Sequence, residues 1–556
     1  PGGDFPTVVD PKRPVTIGAH MRGNDYINNR YQLALAQEKA GDVFEQIAVE
    51  YERLSGRKYE KLNVYRMDDA EVALFLVNSA AETAKVAVDE LRKEGVKAGL
   101  IYPNMIRPFP LREIQDALRY VKVLVIGERA DSYGANGANL THEIKAALKD
   151  DPNNETLITT RVYGLGGKDF LPEDAQAFFQ IARSILEKGH VEKTFDYYGV
   201  VPGDPEKAMP EQPPKVKNNE FKTDLIKVTV DEETNKLKVK IPPPRMLMKK
   251  PNRLASGHGA CPGCGIFSGL ELFFKGIEGD IITLFQTGCA YVTSASYPYT
   301  AHKQPFIHNL FQNGAATLSG TVEAFLELKR RREIDVPDDV TFVMVTGDGG
   351  MDIGMGPVIG AALRGHKMII LEYDNEGYMN TGSQLSYSTP YGHQTSTSHV
   401  GKNQRGKAFH HKDTPQIMAA TGIPYVFTAV ESNPQDMLRK AAKAQWYAHN
   451  EGLAYGKILS ACPLNWRTEA NMGTKLVELA VDSCFFPLYE IERQETKITY
   501  NPEVRGKKGP VSEWLKQMGK TKHVVTEENK DLLEEIQREV DYRWERLKAM
   551  DEHPLL

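Results

Sequence analysis

The chain has 556 residues, 26% of them charged and 41% hydrophobic, with a net charge of −5. That is room for about two to four domains of ordinary globular composition, and it excludes disordered, collagen-like and coiled-coil classes as descriptions of the whole. A charge this small gives no footprint for nucleic acid, and no apolar run is long enough to span a bilayer.

The first 70 residues open irregularly and turn helical at about 31–54. From residue 72 apolar runs alternate with helical patterns. VALFLVNSA (72–80), KAGLIYPNM (97–105), VKVLVIGE (121–128) and TLITTRVYGLGG (156–167) read as strands. Each is followed by an amphipathic stretch of helical length. Strands alternating with helices in this way predict a doubly wound α/β domain with a parallel sheet. Residues 203–217, rich in Pro and charge, read as a linker, and LIKVTV and KLKVKI on either side of DEETN read as a β-hairpin. We therefore expect domains at 1–202 and 254–556, with 203–253 between them. The second domain again alternates strands and helices. It closes on NKDLLEEIQREVDYRWERLKAM, an amphipathic helix that either packs on a neighbour or is solvated. No signal peptide is expected, and Pro1 in first position suggests a fragment or a processed chain.

Five cysteines are too few for a disulfide scaffold, and they are Cys261, Cys264, Cys289, Cys462 and Cys484. All lie in the C-terminal half, which predicts a reducing compartment and a local cysteine site. Cys261 and Cys264 form C-x-x-C, a pattern open to zinc, to an iron–sulfur cluster or to a redox pair. Cys289 and Cys462 are dispersed singles, which favours a cluster inside a domain over a compact zinc knuckle. Cys484, in VDSCFFPLYE, suits the core.

The most informative block is 340–390. VTFVMVT reads as a strand that ends in Gly347, Asp348, Gly349 and Gly350. A helical stretch and the strand KMIILEYD follow, and then Asn375. Glycines at a strand end let backbone N–H groups approach a phosphate, and a helix N-terminus adds its dipole. A carboxylate beside an amide oxygen can hold a hard cation on the diphosphate. GDG with an Asn about 27 residues later is the thiamine-diphosphate pattern; the bland alternative is a tight turn plus an Asn-capped turn.

SGHGACPGCG, TGCAYVTSASYPYTAHKQPFIHNLFQNGAATLSG, TGDGG, YDNEGYMNTGSQ and ACPLNW resemble the β subunit of 2-oxoacid:ferredoxin oxidoreductases, the pyruvate enzymes best. SGRKYEKLNVYRMDDAE, NMIRPFP, GERADSYGANG and YGLGGKD resemble the second, transketolase-C-terminal-like domain of the α subunit. The resemblance implies a thiamine-diphosphate domain at 254–556 behind an α-subunit tail. It makes Cys261, Cys264, Cys289 and Cys462 the ligands of one 4Fe–4S cluster. It makes Asp348, Asn375 and the Gly377 carbonyl the Mg²⁺ ligands, and Asn380 the residue beside the substrate. His308 and His258 fall in segments near the cofactor, a surface or core histidine being the bland alternative for either. The implied reaction is the reversible conversion of a 2-oxoacid and coenzyme A to acyl-CoA and CO₂, with electrons leaving through the cluster to ferredoxin. An anaerobic cytoplasm is the implied setting.

Two departures stand near the implied site. Residues 381–384 read TGSQ where the family commonly has TGGQ, and Ala290 and Tyr291 replace a frequent Leu or Met and Glu. The family's domain with the activating Glu and its two-cluster ferredoxin-like domain find no counterpart. An α-type subunit and a two-cluster subunit are therefore implied partners, in a dimer of heteromers. A non-redox thiamine decarboxylase or carboligase with structural zinc is the alternative enzyme. A scaffold subunit without chemistry is the alternative of another class.

Overall fold

The computed structural model describes residues 23–200, 221–296, 300–336 and 339–553, and contacts within the chain divide it into two compact units, Pro1–Glu211 and Gln212–Leu556. The first unit contains α1 (Gly23–Ser55), β1 (Leu62–Tyr65), β2 (Val72–Phe75), α2 (Ser79–Lys93), β3 (Ala98–Pro103), α3 (Leu111–Leu118), β4 (Val123–Glu128), α4 (Asn139–Lys149), β5 (Leu157–Val162), α5 (Pro172–Lys188) and β6 (Phe195–Tyr197). Its strand order is β1-β3-β2-β4-β5-β6, parallel except where β1 pairs with β3.

Every residue of β2 and β4 is buried, because helices cover both faces of the sheet. Ala84 and Val88 of α2 and Phe178 and Phe179 of α5 pack on one face; Ile114 of α3 and Ile144 of α4 pack on the other. Removing the larger of these side chains, the Val, Ile and Phe, from water stabilises the fold by about 1.5–3 kcal/mol each. The alternation read from residue 72 is this doubly wound sheet. The antiparallel β1 was not anticipated; an edge strand has one free side and tolerates either direction.

The Pro-rich stretch 203–217 lies outside the described residues. The hairpin forms as β7 (Lys227–Val230) and β8 (Leu237–Lys240), antiparallel around the 231–236 turn. It does not stand free: Ile226, Val228, Val239 and Leu247 pack on Leu438 and Ala442 of the second unit.

The second unit is built on β9 (Ile281–Gln286), β10 (Phe306–Asn309), β11 (Thr341–Gly347), β12 (Ile369–Asp374), β13 (Val400–Gly401), β14 (Gln404–Arg405), β15 (Tyr425–Val430), β16 (Ala454–Leu459), β17 (Leu488–Glu492) and β18 (Glu495–Tyr500). The main sheet runs β10-β9-β11-β12-β16-β15-β17-β18, and β13 and β14 form a separate small ladder. Six strands are parallel; β17 and β18 extend the sheet antiparallel. The C-terminal helix Lys530–Glu552 packs on its own chain, turning Leu532, Ile536, Val540, Trp544 and Leu547 inward. Among the described residues no helix is long and apolar enough to cross a membrane.

Candidate functional site

Four neighbouring parallel strands, β9, β11, β12 and β16, end on the same edge of the second sheet. Their C-terminal ends are followed by Cys289, Asp348, Asn375 and Cys462 respectively. Residues far apart in sequence therefore meet because parallel strands share a direction, and ligands of open α/β sheets bind at such edges.

Gly347 closes β11, and the helix Asp348–Leu363 starts at the next residue, so Asp348 stands in its first turn. A Cβ on Gly349 would lie 2.6 Å from the Tyr378 ring, so only glycine lets the Tyr378 loop close over the helix start. Asp348 is buried and accepts from the Ser386 hydroxyl. Burial, followed by the charge of Asp374, holds its carboxyl well above the usual range, although Ser386 and Lys412 pull the other way. Asp374 is buried too, yet its ion pair with Lys457 keeps it below the usual range.

The Asn375 amide sets one polar atom 3.0 Å from the Gly377 carbonyl oxygen and 3.3 Å from Asp348 Oδ1. As nitrogen, that atom donates to both oxygens. As oxygen, it faces two further oxygens, an arrangement that a bound cation would stabilise. Neighbouring oxygens around octahedral Mg²⁺, each 2.0–2.1 Å from the metal, stand about 2.9 Å apart. The donor set fits a hard divalent ion.

These residues line a cleft of about 660 Å³, together with Gly347, Gly350, Asn380 and Cys289. His308 does not line it. The ring stacks on Tyr291 at 3.6 Å, and Nε2 lies 2.9 Å from Thr287 Oγ1, which does reach the cleft. Burial lowers the His308 pKa. His308 therefore sits one residue behind the surface on which a direct cofactor contact was expected. His258 is stacked on Phe267 at 4.0 Å, away from the cleft lining. The departure at Ser383 places a serine at φ +60, a left-handed conformation that the family's glycine adopts freely.

The C-x-x-C segment precedes the helix Gly265–Lys275, and the Gly265 N–H donates to the Ala461 carbonyl at 2.9 Å, tying it to the end of β16. Cys264 is pushed up to about 11 and Cys289 up to about 12, first by burial and then by the other thiols. Burial raises Cys462 as well, but the Asn465 N–H and the Lys520 charge pull it back. All four expected cysteines therefore stand within electrostatic reach of one another. Among the described residues, no three His, Cys, Asp or Glu side chains are gathered tightly enough for a single metal ion. Cys484 lies apart, buried in the core.

Three contributors escaped the sequence reading. Tyr373, fully buried at the end of β12, accepts from the Ala290 N–H at 3.2 Å and lines the cleft. Its ring thus forms a wall between the cleft and the Cys289 turn. Lys520, from the C-terminal segment, forms a buried ion pair with Glu376 beneath the Asn375 loop. Asn465 bonds to the same loop. Tyr373 and Asn465 lie within the YDNEGYMNTGSQ and ACPLNW segments, but their roles, like the arrival of Lys520, come from tertiary packing. A second cavity lies behind the loop, between Asp374 and Arg543. Among its charges Lys457 pairs with Asp374 and Arg543 with Glu539, both within the chain.

Residues 70–175 match the family described as pyruvate:ferredoxin oxidoreductase core domain II. Residues 286–455 match the thiamine pyrophosphate enzyme C-terminal TPP binding domain, a span that includes Cys289, Asp348, Asn375 and Asn380. Pyruvate synthase subunit PorB of Thermotoga maritima is 37% identical over 309 residues, 55% of this chain and 94% of that one. Its counterpart from Methanocaldococcus jannaschii is 41% identical over 288 residues, 52% of this chain and 93% of that one. Ketoisovalerate oxidoreductase subunit VorB of Pyrococcus furiosus is 35% identical over 299 residues, 53% of this chain and 93% of that one.

Proposed function

The chain belongs to the 2-oxoacid:ferredoxin oxidoreductase family, and from that premise we propose that it acts on pyruvate, holds a 4Fe–4S cluster and passes acyl groups to coenzyme A. Bound in the cleft, thiamine diphosphate supplies the electron sink for decarboxylation of the 2-oxoacid, and a cluster supplies the one-electron acceptor. The chain's own residues do the rest. Asp348, Asn375 and the Gly377 carbonyl would hold Mg²⁺, which neutralises the diphosphate. Gly349 and Gly350 line the cleft in the first turn of the helix Asp348–Leu363, where the backbone N–H groups and the helix dipole favour phosphate oxygens. Asn380, on the loop beyond, offers an amide to a substrate oxygen. His308 acts through Thr287, orienting the hydroxyl that faces the cleft.

Cys261, Cys264, Cys289 and Cys462 would hold the cluster. Cys289 belongs to both the thiol set and the cleft wall, so a cluster held there would stand beside the cleft and could accept electrons from it. The apolar lining contributed by Phe311, Ile353 and Met379 suits a short aliphatic 2-oxoacid, which supports pyruvate. We place the chain in an anaerobic cytoplasm, with an α-type subunit, a two-cluster subunit and ferredoxin as partners.

The observation that carries this reading is the meeting of the Asp348 carboxyl, the Asn375 amide and the Gly377 carbonyl in the cleft that Cys289 also lines. Asp348→Ala removes the one charged ligand. Calorimetry should show that Mg²⁺-dependent binding of thiamine diphosphate is lost while circular dichroism shows the fold retained. Unchanged affinity in this variant would sink the assignment.

A further inference from the structure

One residue touches both halves of the site. Asn465 is buried in the four-residue helix Pro463–Trp466, which Cys462 caps. Its backbone N–H donates to Cys462 Sγ at 3.5 Å. Its side-chain Nδ2 donates to the Asn375 carbonyl at 2.8 Å and to the Glu376 carbonyl at 3.3 Å. Those two carbonyls belong to the turn that presents the Asn375 side chain and the Gly377 oxygen.

The turn needs holding. Glu376 sits at φ +65, where non-glycine residues are uncommon, and such a conformation persists only when its surroundings fix it. Lys520 fixes its side chain and Asn465 its carbonyl. A few covalent bonds separate the Asn465 N–H from Nδ2, so one residue carries both contacts. A change at the Cys462 sulfur is therefore passed to the turn.

We propose that Asn465 is a positioning residue that couples the Cys462 sulfur to the Asn375–Gly377 turn. Coupling between two sites is reciprocal: if cation and diphosphate bind more tightly to one redox state of the cluster, their binding shifts the cluster's reduction equilibrium by the same factor. This rests on the reading of Cys462 as a cluster ligand and of the turn as the Mg²⁺ site.

The test uses the anaerobically purified enzyme complex carrying Asn465→Leu, which keeps the backbone N–H and removes Nδ2. Asn465→Asp, closer in shape, serves if the first variant does not fold. Addition of Mg²⁺ and thiamine diphosphate to the wild type should shift the cluster's midpoint potential and EPR spectrum. In the variants iron per chain should be unchanged and the shift absent. Their affinity for Mg²⁺ and thiamine diphosphate should fall by about tenfold or more, as for other residues that orient metal ligands. A wild type without the shift, or a variant that keeps it, overturns the coupling. Cys462→Ser with full iron overturns the ligand reading and the coupling with it. That failure is distinct from an iron-replete Asn465 variant that behaves as wild type.

Discussion

Cys462 and Cys484 differ in what their sulfurs meet. Cys462 follows β16; burial raises its thiol, while an N–H from Asn465 and the charge of Lys520 pull it back. Cys484 is buried beside Phe485 and Phe486 at φ +60, and burial pushes its thiol up to about 12. Cys462 stands among Cys261, Cys264 and Cys289 while Cys484 stands apart in the core, so the first sulfur is suited to a shared cluster and the second is not. Cys462→Ser should lose or convert the cluster, leaving about three irons or fewer per chain, since a 4Fe–4S cluster takes four thiolates. Cys484→Ser should keep its iron and activity, at a stability cost on the order of 1 kcal/mol for a hydroxyl in an apolar site. Iron analysis and low-temperature EPR of both proteins check this, and the opposite pattern would reverse the assignment.

Among the elements, the C-terminal helix Lys530–Glu552 is fastened at both its apolar stripe and its ends. Glu503 pairs with Lys548 of that helix at 3.1 Å and with Lys508 at 2.8 Å. The hydrogen bond from Lys508, with the one from Lys548, holds its carboxyl down to about 2, against an ordinary value of 4.5. A carboxyl whose folded pKa is depressed contributes stability above its unfolded pKa and loses it as pH falls toward the folded one. The contribution of Glu503 should therefore be full at pH 6 and disappear between about pH 4.5 and 2. Thermal melts over that range, compared with Glu503→Gln, should converge at the acid end; a constant gap would show that the pairs contribute nothing. Elements like this helix were legible as elements, because a stripe at 532, 536, 540, 544 and 547 is periodic. The β11–helix–β12 unit was legible for the same reason, helped by glycines that demand a special backbone. What packs against them was not legible. Lys520 meets Glu376 across 144 residues and Asn465 meets Asn375 across 90, and neither is signalled by composition or period. The antiparallel β17 and β18 escaped as well, since edge pairing is decided by tertiary contacts with β15 rather than by local pattern.

At the scale of the whole molecule, the second unit offers one wall of a reaction site. Among the described residues lining the cleft the one carboxylate is Asp348, and the cation would take it. Activation of the thiamine aminopyrimidine needs another carboxylate, which the family resemblance assigns to an α-type domain. The curated relatives are themselves named as subunits, which agrees with a divided site. The cleft also needs closing, because electrostatic stabilisation of developing charge depends on excluding water. We therefore expect this chain, loaded with cluster, Mg²⁺ and thiamine diphosphate, to be silent alone. Reduction of a viologen dye by pyruvate and coenzyme A should appear only when the α-type partner is added, and should saturate as the partner reaches equimolar amounts. Asp348→Ala should abolish the restored rate without preventing assembly, which separates a missing cofactor from a missing partner. Full turnover by the isolated chain would show that both walls of the site lie within it.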